Sequence, residues 1–130
     1  MLEKSPVLRV LVVEDESLIR WSIAEMLSHS GYTVIEAPDG ATAVRVLTEM
    51  SEPVDVVLLD YRLPDSNDLT LLANVRRLAP QSSVVLMTAF GTPEVVQEAR
   101  ELGVCRVLNK PFDMHDIAGV VLQAHGSRPQ

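Results

Sequence analysis

The stretch Val54-Asp55-Val56-Val57-Leu58-Leu59-Asp60 decides the fold. It is apolar from Val54 to Leu59 with one exception, and it closes on an acid. A strand with one wet face alternates apolar and polar side chains, so a nearly continuous apolar run predicts a strand covered on both faces. Such strands belong to parallel sheets whose crossovers are helices. Val7–Val13, Thr33–Glu36, Val84–Met87 and Val104–Leu108 are the other strand candidates, and three of the five runs are nearly continuous.

The intervals between these runs carry helical spacing. Ile19, Ile23, Met26, Leu27 and Ser30 repeat along a first helix that Gly31 ends. A second begins near Asp39 with Val44, Leu47 and Met50 facing inward, and a third carries Leu71, Leu72, Val75 and Leu78 before Pro80. Arg76 and Arg77 fall in its last turn, where they read as favourable charge at a helix C-terminus rather than a basic patch. Thr92-Pro93-Glu94 announces a fourth helix that stops at Gly103. In the fifth, Asp113 is a cap, Phe112 and Ile117 form a hydrophobic staple, and Val120, Val121 and Ala124 face the core. Five βα units predict an α/β domain: a doubly wound five-stranded parallel sheet sandwiched by five helices. Residues 1–126 are expected to form this one domain, with 127–130 as a frayed tail or the start of a linker.

Composition narrows the function classes. With 130 residues, 47% hydrophobic and 22% charged, the chain is sized for one globular core and is not a disordered chain. Its formal charge of −7, from 18 acidic and 11 basic residues, disfavours direct nucleic-acid binding, which depends on Lys and Arg neutralising phosphates. The one cysteine, Cys105, sits in an apolar run, where a buried thiol acts as a small hydrophobe; a cytoplasmic setting is expected. No stretch reaches the ~18 apolar residues of a membrane span, and Met1–Pro6 lacks a signal peptide's apolar core.

In open α/β sheets, ligands bind at the carboxyl ends of strands. Here those ends are Glu14-Asp15, Asp60, Thr88-Ala89 and Lys110-Pro111, while the second strand ends plainly. A strand order of 2-1-3-4-5 makes the first and third strands neighbours, so Glu14, Asp15 and Asp60 would converge beside Thr88 and Lys110. Three carboxylates that close require a neutralising cation or a retained proton. Magnesium, a hard ion that prefers oxygen ligands and keeps several waters, is the expected cofactor. His29, His115 and His125 have no metal-ligand spacing and are expected at the surface.

This constellation resembles the receiver domain of two-component response regulators over essentially the whole chain, and hence a CheY-like fold. An acidic pair, a central acid, Thr-Ala and Lys-Pro follow in order at the strand ends. Asp60-Tyr61-Arg62-Leu63-Pro64 and Met87-Thr88-Ala89-Phe90-Gly91 add likeness to receivers of NtrC-type transcriptional activators. The resemblance implies that Asp60 is the nucleophile, accepting a phosphoryl group from a phosphohistidine. It implies magnesium ligands in Asp15, Asp60, the Arg62 carbonyl and, through water, Glu14. Lys110 would meet a phosphoryl oxygen, Thr88 would donate a hydroxyl hydrogen bond, and Ala89 would leave room by being small. The bland alternatives are a Lys110 ion pair that only steadies the acids, a Thr88 hydroxyl spent on local backbone, and an acidic pair that complements a helix dipole. The family's Lys-Pro bond is typically cis, so the same is expected at Lys110-Pro111.

The implied partners are a sensor histidine kinase or a histidine phosphotransfer protein, with homodimerisation through the fourth helix, fifth strand and fifth helix. The implied chemistry is self-catalysed phosphotransfer and autodephosphorylation, not that of an enzyme in the usual sense. Two residues depart from the pattern. Val107 stands where many receivers carry Tyr or Phe, which puts a ring-flip switch in doubt and keeps a phosphorylation-independent interaction module as the alternative. Asp68 stands where the loop after the central acid usually has glycine, which predicts some backbone strain and extra charge near the site. Trp21 lies off its helix's apolar stripe; partial burial is the ordinary expectation, and contact with a partner kinase the sharper one.

Overall fold

The computed structural model describes residues 7–126. Its centre is β3 (Val56–Asp60), buried at every position as the apolar run predicts. Beside it run β1 (Arg9–Val13) and β4 (Ser83–Thr88), with β2 (Thr33–Ala37) and β5 (Arg106–Asn109) at the edges. All neighbours pair in parallel in the order β2-β1-β3-β4-β5, the expected topology.

Side chains alternate between the two faces because the strand period is two. Leu11, Val13, Val57, Leu59, Val84 and Leu86 face one core, which α2 (Gly40–Glu49), α3 (Thr70–Leu78) and α4 (Pro93–Glu101) close with Ala43, Leu72, Val75 and Ala99. Val10, Val12, Val56, Leu58, Val85 and Met87 face the other, closed by α1 (Ser17–His29) and α5 (Ile117–Gly126) through Ile23, Leu27, Ile117, Val120 and Val121. With both faces covered, the polar residues of the central strands collect at their carboxyl ends, where backbone pairing ceases.

The helix ends follow the sequence signals. Asp39 accepts a hydrogen bond from the Thr42 N–H (2.8 Å), and Thr92 accepts one from the Val95 N–H (3.3 Å). Gly31 and Gly103, just past α1 and α4, take positive φ of 89° and 94°. Asp113 caps differently from expectation: a 3-10 turn, Met114–Asp116, precedes α5, and the Asp113 carboxylate accepts from the His115 N–H inside it. Phe112 and Ile117 still share the core on the α1 and α5 side.

Several boundaries move. β1 starts at Arg9, leaving Val7 67% exposed, and β3 starts at Val56 with Val54 buried but outside the strand. β5 starts after Cys105, which is half-buried rather than buried. Strand pairing begins later than these apolar runs do, because the runs also cover the entry loops. Trp21 is 57% exposed, so its burial is only partial. His29 and His115 lie at the surface, whereas His125 is half-buried, with Nδ1 out of contact with water and without a hydrogen-bond partner among the described residues. The expected tail, residues 127–130, lies outside the described residues.

Arg76 does more than complement a helix dipole. Its guanidinium donates to the carbonyls of Ser82 (3.0 Å) and Leu102 (3.3 Å), clipping the end of α3 to the α4–β5 loop across Gly103. A Cβ on residue 103 would sit 2.9 Å from Arg76 Nε, at a φ that side chains rarely adopt. Gly103→Ala is therefore expected to cost about 1–2 kcal/mol, read from the urea unfolding midpoint. An unchanged midpoint would contradict this account of the loop.

Candidate functional site

The carboxyl ends of four strands build one crevice. β1 runs into Glu14, β3 ends on Asp60, β4 ends on Thr88, and Lys110 follows β5. Glu14 is fully buried, Asp60 is 6% exposed and Thr88 2%, while Asp15 is exposed at the rim. One carboxylate oxygen from each of Glu14, Asp15 and Asp60 lies within 4.8 Å of the others. A cavity of about 240 Å³ opens among Asp15, Glu16, Asp60, Tyr61, Arg62, Thr88, Ala89 and Lys110. Glu14, Asp15, Asp60, Arg62, Thr88, Ala89 and Lys110, named from the sequence as site residues, are thus brought to one place.

Lys110 supplies the positive charge. Its Nζ donates to Glu14 Oε1 (2.6 Å) and Asp60 Oδ2 (3.1 Å). Its backbone N–H donates to the Thr88 carbonyl (2.8 Å), and the Lys110-Pro111 bond is cis, as expected. Burial works against the ammonium, but its hydrogen bond to Glu14, the charges of Asp60 and Glu14 and its hydrogen bond to Asp60 together outweigh it. They hold its pKa above the ordinary 10.5.

The remaining contacts are local. Glu14 Oε2 accepts from the Glu16 N–H (3.1 Å) at the start of α1, so the expected helix-terminus role holds alongside the lysine pairing. Asp60 Oδ1 accepts from the Arg62 N–H (3.2 Å). Thr88 Oγ1 accepts from the Phe90 N–H (3.2 Å), the plainer of its two expected roles. Ala89 lines the cavity and Phe90, 79% exposed, stands beside it.

The loop after Asp60 carries no positive φ among its non-glycine residues, so the strain expected at Asp68 is absent. Instead, Leu63 and Ser66 pair through their backbones, and Asp68 Oδ1 accepts from the Thr70 N–H (2.9 Å). Asp68 lines a separate cavity between α2 and α3, away from the acidic crevice. Sequence reasoning missed Asp65, whose carboxylate accepts from the N–H groups of Gly40 and Ala41 (both 2.9 Å) and ties this loop to α2. It also missed Arg20, whose Nη1 donates to the Glu14 carbonyl (2.9 Å) and Nε to Glu36 Oε1 (3.1 Å). A cation in the first turn of α1 opposes the helix dipole, and that misplacement was the available signal.

With this geometry in view, the family model that matches residues 10–122 is that of the response regulator receiver domain. The chain belongs to that family. The transcriptional regulatory protein PdtaR of Mycobacterium tuberculosis is 39% identical over 112 residues, 84% of this chain and 52% of PdtaR, so the chain spans about half of that relative's length. Sporulation initiation phosphotransferase F of Bacillus subtilis is 32% identical over 113 residues, 87% of this chain and 90% of that protein. The crystal structure of a CheY-like receiver from Methanospirillum hungatei aligns with a TM-score of 0.85 over 93% of this chain and 95% of that one, at 22% identity; it supports the fold alone. Receiver domains interact with histidine kinases or phosphotransfer proteins and bind magnesium at an acidic pocket. The all-oxygen donor set of Glu14, Asp15 and Asp60 fits a hard divalent cation. Among the described residues no helix is long and apolar enough to cross a membrane.

The raised lysine pKa fixes the sign of a pH effect. A group whose folded pKa exceeds its unfolded value contributes stability below the unfolded value and loses it as pH rises through the folded one. Without divalent cations, Lys110→Met should therefore destabilise the protein by about 2–3 kcal/mol at neutral pH, since it strands buried carboxylates. The gap between wild type and variant should close as pH climbs past 10.5. Urea unfolding across that range checks this; a gap that stays constant would refute the pairing as its source.

Proposed function

We propose that this receiver accepts a phosphoryl group from a phosphohistidine of a sensor histidine kinase or phosphotransfer protein onto Asp60, in a magnesium-dependent reaction. The resulting change of conformation controls self-association or partner binding. The observation that carries the reading is the convergence of Glu14, Asp15, Asp60, Thr88 and Lys110 on one small cavity. A carboxylate oxygen of Asp60 forms the P–O bond as the donor's P–N bond breaks, and the imidazole nitrogen keeps the electron pair. Asp15, Asp60 and the Arg62 carbonyl, with Glu14 through water, would hold magnesium. Its chemistry there is to offset the charge of two anionic reactants.

The chain's own residues do the rest. Lys110 turns from its carboxylates towards a phosphoryl oxygen, and the exposed, small Ala89 leaves space for the incoming group. Thr88 exchanges its role as acceptor from the Phe90 N–H for donation to the phosphoryl group. That exchange is the start of a switch that needs no aromatic ring at Val107, which packs half-buried against the core on the α2, α3 and α4 face. At Gly91 a Cβ would meet Thr88 Cγ2 and Asn109 Oδ1 at 3.2 Å and Val96 at 3.3 Å, so movement of Thr88 is passed at close range to β5 and α4. Homodimerisation through α4, β5 and α5 is the output consistent with that route.

Exposed Trp21 is available to the phosphodonor protein on α1. The domain catalyses its own phosphotransfer and autodephosphorylation, works in the cytoplasm, and binds no nucleic acid itself. Residues 1–126 form the receiver and 127–130 its tail or the start of a linker.

Incubation with acetyl phosphate and magnesium should add the mass of one phosphoryl group to wild type and none to Asp60→Asn, and chelation should abolish the gain. An equal gain on Asp60→Asn would overturn the assignment, and no gain on wild type would favour the phosphorylation-independent module.

A further inference from the structure

Asp15 poses a question that the site's own contacts leave open. Its exposed carboxylate has no hydrogen-bond partner among the described residues, whereas Glu14 and Asp60 are each held by Lys110 and a backbone N–H. Its aim therefore depends on the main chain that carries it.

That main chain is held on both sides of Glu14. The Glu14 N–H donates to the Ala37 carbonyl (3.0 Å), continuing the β1–β2 ladder by one residue. The Glu14 carbonyl, which shares a rigid peptide plane with the Asp15 nitrogen, accepts from Arg20 Nη1 at 2.9 Å. Arg20 Nε is engaged in turn by Glu36 Oε1 at 3.1 Å, from the neighbouring strand β2. The guanidinium is a planar fork, so engaging two of its nitrogens in different directions sets its plane.

We propose that Arg20 is a positioning residue for the divalent-cation site: it holds the Glu14–Asp15 peptide so that the Asp15 carboxylate points into the crevice. This rests on the reading of Glu14, Asp15 and Asp60 as a magnesium site. Charge and geometry predict opposite signs here. A cation beside a magnesium site repels the metal, so if Arg20 acted by charge alone its removal would tighten binding. If it acts as a clamp, removal loosens binding, and a lysine in its place keeps the charge but cannot make both contacts.

Magnesium affinity by isothermal titration calorimetry separates the two, with circular dichroism confirming that each variant is folded. Arg20→Gln and Arg20→Lys should each raise the magnesium Kd by about tenfold, the low end for residues that orient metal ligands. Glu36→Gln, altering a half-exposed ion pair, should raise it by less than about fivefold. At saturating magnesium, labelling by acetyl phosphate should return to within about twofold of wild type, because only the metal-binding step is weakened. Tighter or unchanged binding in Arg20→Gln, or full rescue by Arg20→Lys, would overturn the clamp while leaving the magnesium site intact. Wild-type protein that neither binds magnesium nor is labelled would overturn the site reading itself, and this inference with it.

Discussion

The Lys110 ammonium, bridging Glu14 and Asp60, is the interaction on which the rest of the site depends. Two buried carboxylates and a third at the rim within 4.8 Å form an arrangement that folding alone disfavours, because like charges crowd together and little water reaches two of them. One cation 17% exposed offsets part of that cost and leaves net negative charge facing the cavity. The sheet makes the bridge reachable. β1, β3 and β4 end side by side, and the backbone bond from Lys110 to Thr88 carries the lysine across from the edge strand.

The polar contacts at the crevice are carboxylate to lysine, carboxylate to backbone N–H and hydroxyl to backbone N–H. Every residue of β3 and β4 is buried, and Arg76 and Asp65 tie the loops at the two ends of α3 to their neighbours. Beside the crevice, side chains of Thr88, Asn109 and Val96 close around Gly91, leaving no room there for a Cβ without a shift of its neighbours.

Much of this was legible from the amino-acid order, and for a physical reason. Strands buried on both faces carry a signal independent of their partners, and chemistry at their carboxyl ends must be written in the residues that immediately follow. Glu14, Asp15, Asp60, Thr88 and Lys110 could be named on that ground. What escaped notice are side chains that bond to backbone carbonyls or N–H groups, as Arg20, Arg76 and Asp65 do, because those targets are present at nearly every residue; only Arg20, a cation in the first turn of a helix, left a mark in the sequence. The strand ends at Val7 and Cys105 were blurred because an apolar residue serves equally in a strand or in the loop that covers it. Asp68 escaped its expected strain by accepting a local hydrogen bond from Thr70, and His125 was drawn partly inside by α5 packing against the sheet.

The central claim is that the Asp60 carboxylate, and none of its crowded neighbours, becomes the acyl phosphate. Borohydride reduces an aspartyl phosphate to homoserine, so reductive trapping after treatment with a phosphodonor and magnesium, followed by peptide mapping, locates the modified residue. The account predicts homoserine at position 60 alone; homoserine at position 15, 5-hydroxynorvaline at position 14, or neither product in a chain that has gained a phosphoryl group, would contradict it.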